Sequence, residues 1–260
     1  ALLSQRNVMA SAAIHKIHFG REAIKGHLVA LPIFHVMGLT SFWATFISGG
    51  KNVLLKQFDN IIALQLIDNE NLTYFGSFPP VLERLLDGAK DNDTRIKSLQ
   101  LVYGLEGPQN IQRLQQETSA IFWTGFGQAE TTAFVTASPS MERPGSAGKG
   151  TLINSIAIVD EADKHLSCGE EGEIVVRGEN IFIEYWDMPE ETEYAQRNGW
   201  HHTGDVGRFD EEGYLWYVKR KAEKELIKTG GENVYPGEVE NVLLKHPEIN
   251  DCCVIGVQDK

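Results

Sequence analysis

Cysteine is scarce: among 260 residues only Cys168, Cys252 and Cys253 carry a thiol, and their spacing fits no metal-ligand pattern. Adjacent cysteines are badly placed to bridge each other, so a disulfide framework is excluded and a reducing compartment, the cytoplasm, is expected. Basic charge is also short, with 24 Lys and Arg against 36 Asp and Glu, a net charge of −12. Such a field repels nucleic acid and anionic membranes, so neither is expected as a partner, and any anionic ligand must be held by local groups. The run from Leu28 to Ile47 lacks charge over a membrane-spanning length. Pro32, His35 and Gly38 interrupt it, which favours a buried strand, turn and helix over a stable membrane span. The opening ALLSQRN has no charged segment ahead of an apolar one, so no signal peptide is read. It also lacks an initiator Met, from which a fragment is expected. There is no internal repeat and no low-complexity tract.

What is present is globular: 42% hydrophobic and 23% charged residues, in a length that suits one large domain or two small ones. From Ser4 to about Glu130, apolar runs such as HLVALP, NVLL, LTYF, LQLVYG and AIFWTGF alternate with amphipathic stretches. That is the rhythm of an α/β fold with a parallel sheet. The last of these runs ends on a turn at Gly125 and Gly127, and ligands of open α/β sheets bind beyond such strand ends. Near Met141 the breakers of MERPGSAGKG intervene, and the short alternating strands NSIAIVD, GEIVVRG and GYLWYVK follow, with no helix of useful length. The expected organisation is an α/β part over residues 1–143, a small antiparallel sheet or barrel over 144–218, a charged hinge over 219–225, and an α+β unit starting at 226–260. That last unit holds the helix PGEVENVLLKH and the strand CCVIGV. The helix has Pro236 in its first turn and Lys245 and His246 at its negative end.

Two segments can carry chemistry. TGFGQAETT sets glycines, hydroxyls and Glu130 directly after a buried strand, which can bring backbone N–H groups to a phosphate and a cation to the carboxylate. A capped turn with Glu130 as a solvated charge is the plainer alternative. In GWHHTGDVGRFDEEGYLWYVKR, Asp205 lies in a tight turn where its carboxylate can accept two sugar hydroxyls. A hairpin through DEEG can return Arg220 beside it. A surface salt bridge is the plainer alternative there. His35 on its own reads as a core or pocket-rim histidine.

These segments resemble the adenylate-forming acyl-CoA synthetases, the AMP-dependent synthetases and ligases, in the order that family has them: LPIFHVMG, GFGQAETT, GSAGKG, GEIVVRGENIFIEYW, GWHHTGD and ELIKTGGENVYPGEVE. The resemblance covers essentially the whole chain. It implies an ATP-dependent carboxylate-CoA ligase acting on a fatty or other apolar acid, with ATP, CoA and the acid as substrates and Mg²⁺ as the metal. It implies that Glu130 serves Mg²⁺ and phosphate, with Thr131 in the same loop, and that His35 stands at the mouth of the acyl pocket. It further implies that Phe126 and Gly127, with Gly104, Leu105 and Glu106, face adenine, that Asp205 and Arg220 hold ribose or phosphate, and that Lys228 approaches phosphate or CoA. Lys224, or else Ala222, would be the hinge residue, and Gly230 and Gly231 would flank the pantetheine arm.

Departures from the family pattern are also present. Ala129 stands where many members have threonine, so Thr131 or backbone N–H groups would have to serve the α-phosphate. Gly150 replaces a proline and Lys219 a glycine, and KRKAEKELIK is two residues longer than the common form. The family's phosphate loop would precede Ala1 and its C-terminal lysine would follow Lys260, so the chain is expected to be an internal fragment and a poor adenylating enzyme. A non-catalytic AMP-binding module, or the adenylation domain of another carboxylate-activating enzyme, stands as the alternative.

Overall fold

The computed structural model describes residues 1–92, 96–221, 227–228, 233–234, 236–246 and 248–256. Its first part alternates helix and strand: α1 (Gln5–Phe19), β1 (Gly26–Val29), α2 (Val36–Ile47), β2 (Lys51–Leu54), α3 (Asn60–Asn69), β3 (Tyr74–Ser77), α4 (Val81–Asp91), β4 (Leu101–Gly104), α5 (Pro108–Glu117) and β5 (Ile121–Thr124). The five strands pair in parallel in the order β2-β1-β3-β4-β5. The central strands β1, β3 and β4 are buried along almost their whole length because helices cover both faces, whereas the edge strand β2 keeps Lys51 and Leu54 exposed. Leu82, Leu85, Leu86, Leu99 and Phe122 fill one face, and Ile14, Ala44, Tyr74, Tyr103 and Phe134 fill the other.

The uncharged run from Leu28 to Ile47 resolves into the end of β1, a turn at Pro32 and α2. Among the described residues no helix is long and apolar enough to cross a membrane. Ser4 caps α1: its hydroxyl accepts the Asn7 N–H at 3.1 Å, and Asn7 Oδ1 accepts the Ser4 N–H at 2.8 Å. Asn7 Nδ2 also donates to the carbonyls of Glu179 and Ile181, at 2.8 and 2.7 Å, which ties the helix to a segment far along the chain. Asn7→Ala is therefore expected to cost about 2–3 kcal/mol, more than an ordinary cap, and chemical denaturation measures it.

After β5 the chain turns too sharply for another crossover helix. A hairpin of two short strands, β6 (Gly127–Gln128) with β7 (Ala133–Phe134), is followed by β8 (Thr136–Pro139) and β9 (Lys149–Gly150). β8 runs antiparallel to β5 and β9 antiparallel to β8, so the seven-stranded sheet is mixed rather than wholly parallel. The four-stranded antiparallel sheet comprises β10 (Asn154–Val159), β11 (Gly172–Gly178), β12 (His201–Phe209) and β13 (Leu215–Arg220). The large sheet thus reaches Gly150, beyond the expected break at 143, and the small one starts at Asn154 and ends at Arg220. A helix absent from the sequence reading, α6 (Pro189–Ala195), stands between β11 and β12. The two sheets meet along one seam, where the Ala147 N–H donates to Leu215 at 2.7 Å and the Leu215 N–H to Gly148 at 2.9 Å. Phe126, Val135, Ile174, Val176 and Leu215 pack beneath it.

Further on lie the hairpin β14 (Ile227–Lys228) with β15 (Asn233–Val234), and α7 (Pro236–Leu243). Of the expected strand CCVIGV, the described residues 252–256 are in no strand, and no described neighbour pairs with them.

Candidate active site

A cavity of about 830 Å³ opens beyond the C-terminal ends of β4 and β5. Of the residues singled out from sequence, His35, Gly104, Leu105, Glu106, Phe126 and Gly127 line it together. Gly104 sits at φ 140°, and a Cβ there would overlap the Ser77 carbonyl oxygen, so the close approach of β4 to β3 admits no side chain. Glu106 accepts from the Ser77 hydroxyl at 3.0 Å and from Asn110 at 3.2 Å, which fixes the carboxylate at the rim. His35 is exposed and caps α2, its Nδ1 accepting the Met37 N–H at 3.2 Å. Phe126 borders the cavity but is 8% exposed, its ring belonging to the cluster between the sheets.

Glu130, Asp205 and Arg220 do not line the cavity. They gather on its flank, joined to it by a residue the sequence reading missed, Gln128. Its amide nitrogen donates to the Asp205 carboxylate and to the Thr203 carbonyl at 2.9 Å, while its oxygen lies 3.1 Å from His201 Nε2. The β12–β13 hairpin sets Asp205 opposite Arg220 in register, with 3.8 Å between Oδ1 and Nη1. Asp205 is 4% exposed, and a buried carboxylate needs such donors. Glu130 Oε1 accepts from the Tyr185 hydroxyl at 2.9 Å. Burial, then the Glu130 charge, raise the Tyr185 phenol, and nearby Arg220 opposes them.

Thr131, expected to be able to serve a phosphate, is fully buried, and its hydroxyl accepts the Gln128 N–H at 2.8 Å and donates to the Ala133 carbonyl at 2.6 Å, bonds that lock the β6–β7 turn. Lys228 falls in β14, while Ala222, Lys224, Gly230 and Gly231 lie outside the described residues. Among the described residues no group of three or more His, Cys, Asp or Glu is placed to hold a metal. Glu130 is the one carboxylate of the signature loop, and only its Oε1 is engaged by a described hydrogen bond.

The family model described as AMP-binding enzyme matches residues 1–186. The chain belongs to the AMP-binding enzymes. The acyl-CoA synthetase resemblance carried by the motifs is matched by curated relatives. This AMP-binding enzyme is 35% identical over 240 residues to the medium/long-chain-fatty-acid CoA ligase of Mycobacterium tuberculosis, covering 90% of this chain and 42% of that protein. It is 35% identical to the 2-succinylbenzoate CoA ligase of Bacillus subtilis, covering 96% and 51%. Among solved structures, the o-succinylbenzoate coenzyme A synthetase of Bacillus subtilis, in complex with ATP and magnesium ion, superposes with a TM-score of 0.79 at 31% identity, covering 99% of this chain and 54% of that one. The chain spans about half the length of the relatives it matches.

Gln128 could have been noticed in sequence, since a long amide between Gly127 and Ala129 has a reach that neither neighbour has. Its partners, more than seventy residues away, carry no local signal.

Proposed function

We propose that this chain forms the nucleotide- and acyl-binding part of an ATP-dependent carboxylate-CoA ligase, an acid-thiol ligase. In the first reaction a carboxylate oxygen bonds the α-phosphorus of ATP and pyrophosphate leaves. In the second the CoA thiol attacks the acyl carbon and AMP leaves. A carboxylate has no usable leaving group, and adenylation supplies one, so the protein's work is positioning and charge neutralisation.

The observation that carries this reading is the junction at Gln128, where a glycine-bearing strand end that lines the cavity is bonded to the Asp205 carboxylate facing Arg220. In this reading Gly104, Leu105, Glu106, Phe126 and Gly127 border adenine, and Asp205 and Arg220 hold ribose. Glu130 would hold Mg²⁺, which takes the rest of its oxygen ligands from phosphates and water; that is why one protein carboxylate suffices. His35 stands where the acyl carboxylate would enter. Phe19, Val36, Met37, Trp123 and Phe134 give the other wall an apolar, largely aromatic surface, which suits a fatty or aryl acid better than a charged one. Lys224, Lys228, Gly230 and Gly231 are proposed to serve CoA and the hinge, with the cytoplasm as the compartment.

Calorimetric titration with AMP and a non-hydrolysable acyl-adenylate analogue tests the reading. Asp205→Ala is expected to weaken AMP binding by about 1–3 kcal/mol. Unchanged affinity sinks the ribose assignment, and no binding by the unaltered chain sinks the nucleotide site. A second reading, a nucleotide-binding module without ligase activity, is favoured by Ala129 and by the burial of Thr131 and Thr132, which leave the turn between β6 and β7 without an accessible hydroxyl. Carboxylate-dependent pyrophosphate release by the whole protein decides against it.

A further inference from the structure

Outside the cavity lies a buried ionic cluster centred on Glu173 of β11, which is 5% exposed. Its Oε1 accepts the Gly204 N–H at 2.9 Å. Its Oε2 accepts from Lys221 Nζ at 2.8 Å and lies 3.0 Å from His202 Nδ1 and 3.5 Å from Arg197 Nη2. Arg197 also donates to Asp163, from Nε at 3.2 Å and from Nη2 at 3.3 Å. Gly204 sits at φ 71°, in the left-handed region, between Thr203 and Asp205. Its carbonyl accepts the Lys221 N–H at 2.7 Å. The peptides on either side of Gly204 are thus gripped by two residues that are themselves an ion pair.

We propose that the Glu173–Lys221 pair is a positioning clamp for Asp205, holding Gly204 left-handed so that the next carboxylate meets Gln128 and Arg220. The inference rests on the reading above, in which Asp205 binds ribose, but it names residues on the far side of the strand that touch no ligand. A neutral side chain at 173 can still accept the Gly204 N–H. It cannot form an ion pair with Lys221, and it leaves that half-buried ammonium beside an uncharged partner, while Arg197 keeps Asp163. The left-handed glycine then loses the restraint on its carbonyl side, and Asp205 gains orientational freedom that ligand binding must remove.

Two variants and a ligand-free measurement test the clamp. Glu173→Gln is expected to weaken AMP binding roughly tenfold in the unaltered background and less than twofold when Asp205 is already Asn, because its effect passes through that carboxylate. Val176→Ala, which loosens the same strand on its other face, in the core between the sheets, sets the reference: it should lower the melting temperature while leaving AMP affinity within twofold. Amide hydrogen exchange at Gly204 and Lys221 reads the clamp with no nucleotide present and should accelerate at least tenfold in Glu173→Gln relative to Val176→Ala. Equal losses of affinity in both Asp205 backgrounds, or unchanged exchange at these two amides, overturns the proposal. If the unaltered chain binds no AMP, the nucleotide reading falls, and the exchange result alone decides whether Glu173 and Lys221 hold Gly204.

Discussion

Gly104→Ala is expected to destabilise the protein by about 3 kcal/mol or more and to abolish measurable AMP binding, since two penalties fall on one atom. The residue's φ of 140° is closed to L side chains, and the new Cβ would overlap a backbone oxygen of β3, so a strand must move rather than a rotamer. The same residue lines the cavity, so the displaced backbone is also cavity wall. Gly213→Ala isolates the first penalty. Gly213 has φ 80° with nothing within 4 Å of the added Cβ, and it should cost only about 1 kcal/mol. Denaturant titration of both variants, with AMP binding measured on each, checks the pair. Equal costs at the two sites would show that the Ser77 contact is unimportant.

Acidification is expected to remove the stability that the Glu173 cluster provides. Burial alone would raise this carboxyl, but hydrogen bonds from His202 and Lys221, the Lys221 charge and the Gly204 N–H outweigh it and bring the group down from 4.5 to about 2. A carboxyl lowered in the folded state contributes its full stabilisation above about 4.5 and loses it as the pH falls toward about 2. The contribution is on the order of 2 kcal/mol after allowance for solvent screening. Denaturation midpoints should therefore separate the unaltered protein from Glu173→Gln at pH 6, and the gap should close by pH 2. A gap independent of pH would mean that the carboxylate's charge contributes nothing.

How far the sequence was legible depends on whether the signal was local. Strands β1, β3 and β4 were readable because a doubly covered strand must be largely apolar, and the crossovers between strands must be amphipathic. The chain reversal after AIFWTGF was marked by glycines, yet the antiparallel addition of β8 and β9 was not, because pairing direction depends on where a loop returns. Helix α6 was hidden in a stretch whose acidic residues face solvent and give no apolar period. The segment CCVIGV shows the converse: its residues have strand propensity, and without a paired neighbour among the described residues propensity forms no ladder. In the candidate site, the family's motifs pointed to Asp205 and Glu130. The Thr131 hydroxyl, spent on the Ala133 carbonyl, and the reach of Gln128 are matters of side-chain direction over long sequence distances, which spacing does not record.

The seam at Ala147, Gly148 and Leu215 bears on how this architecture can be recombined. Residues 147–150 bond to β8 on one side and to β13 on the other, so a short stretch is a shared wall between two rooms. A graft that exchanges the small sheet for that of a relative, joined at the glycine-rich loop near Pro144, inherits one half of each pairing from either parent. The interchangeable block is therefore not the four-stranded sheet by itself. It must carry β8, β9 and the signature hairpin with it.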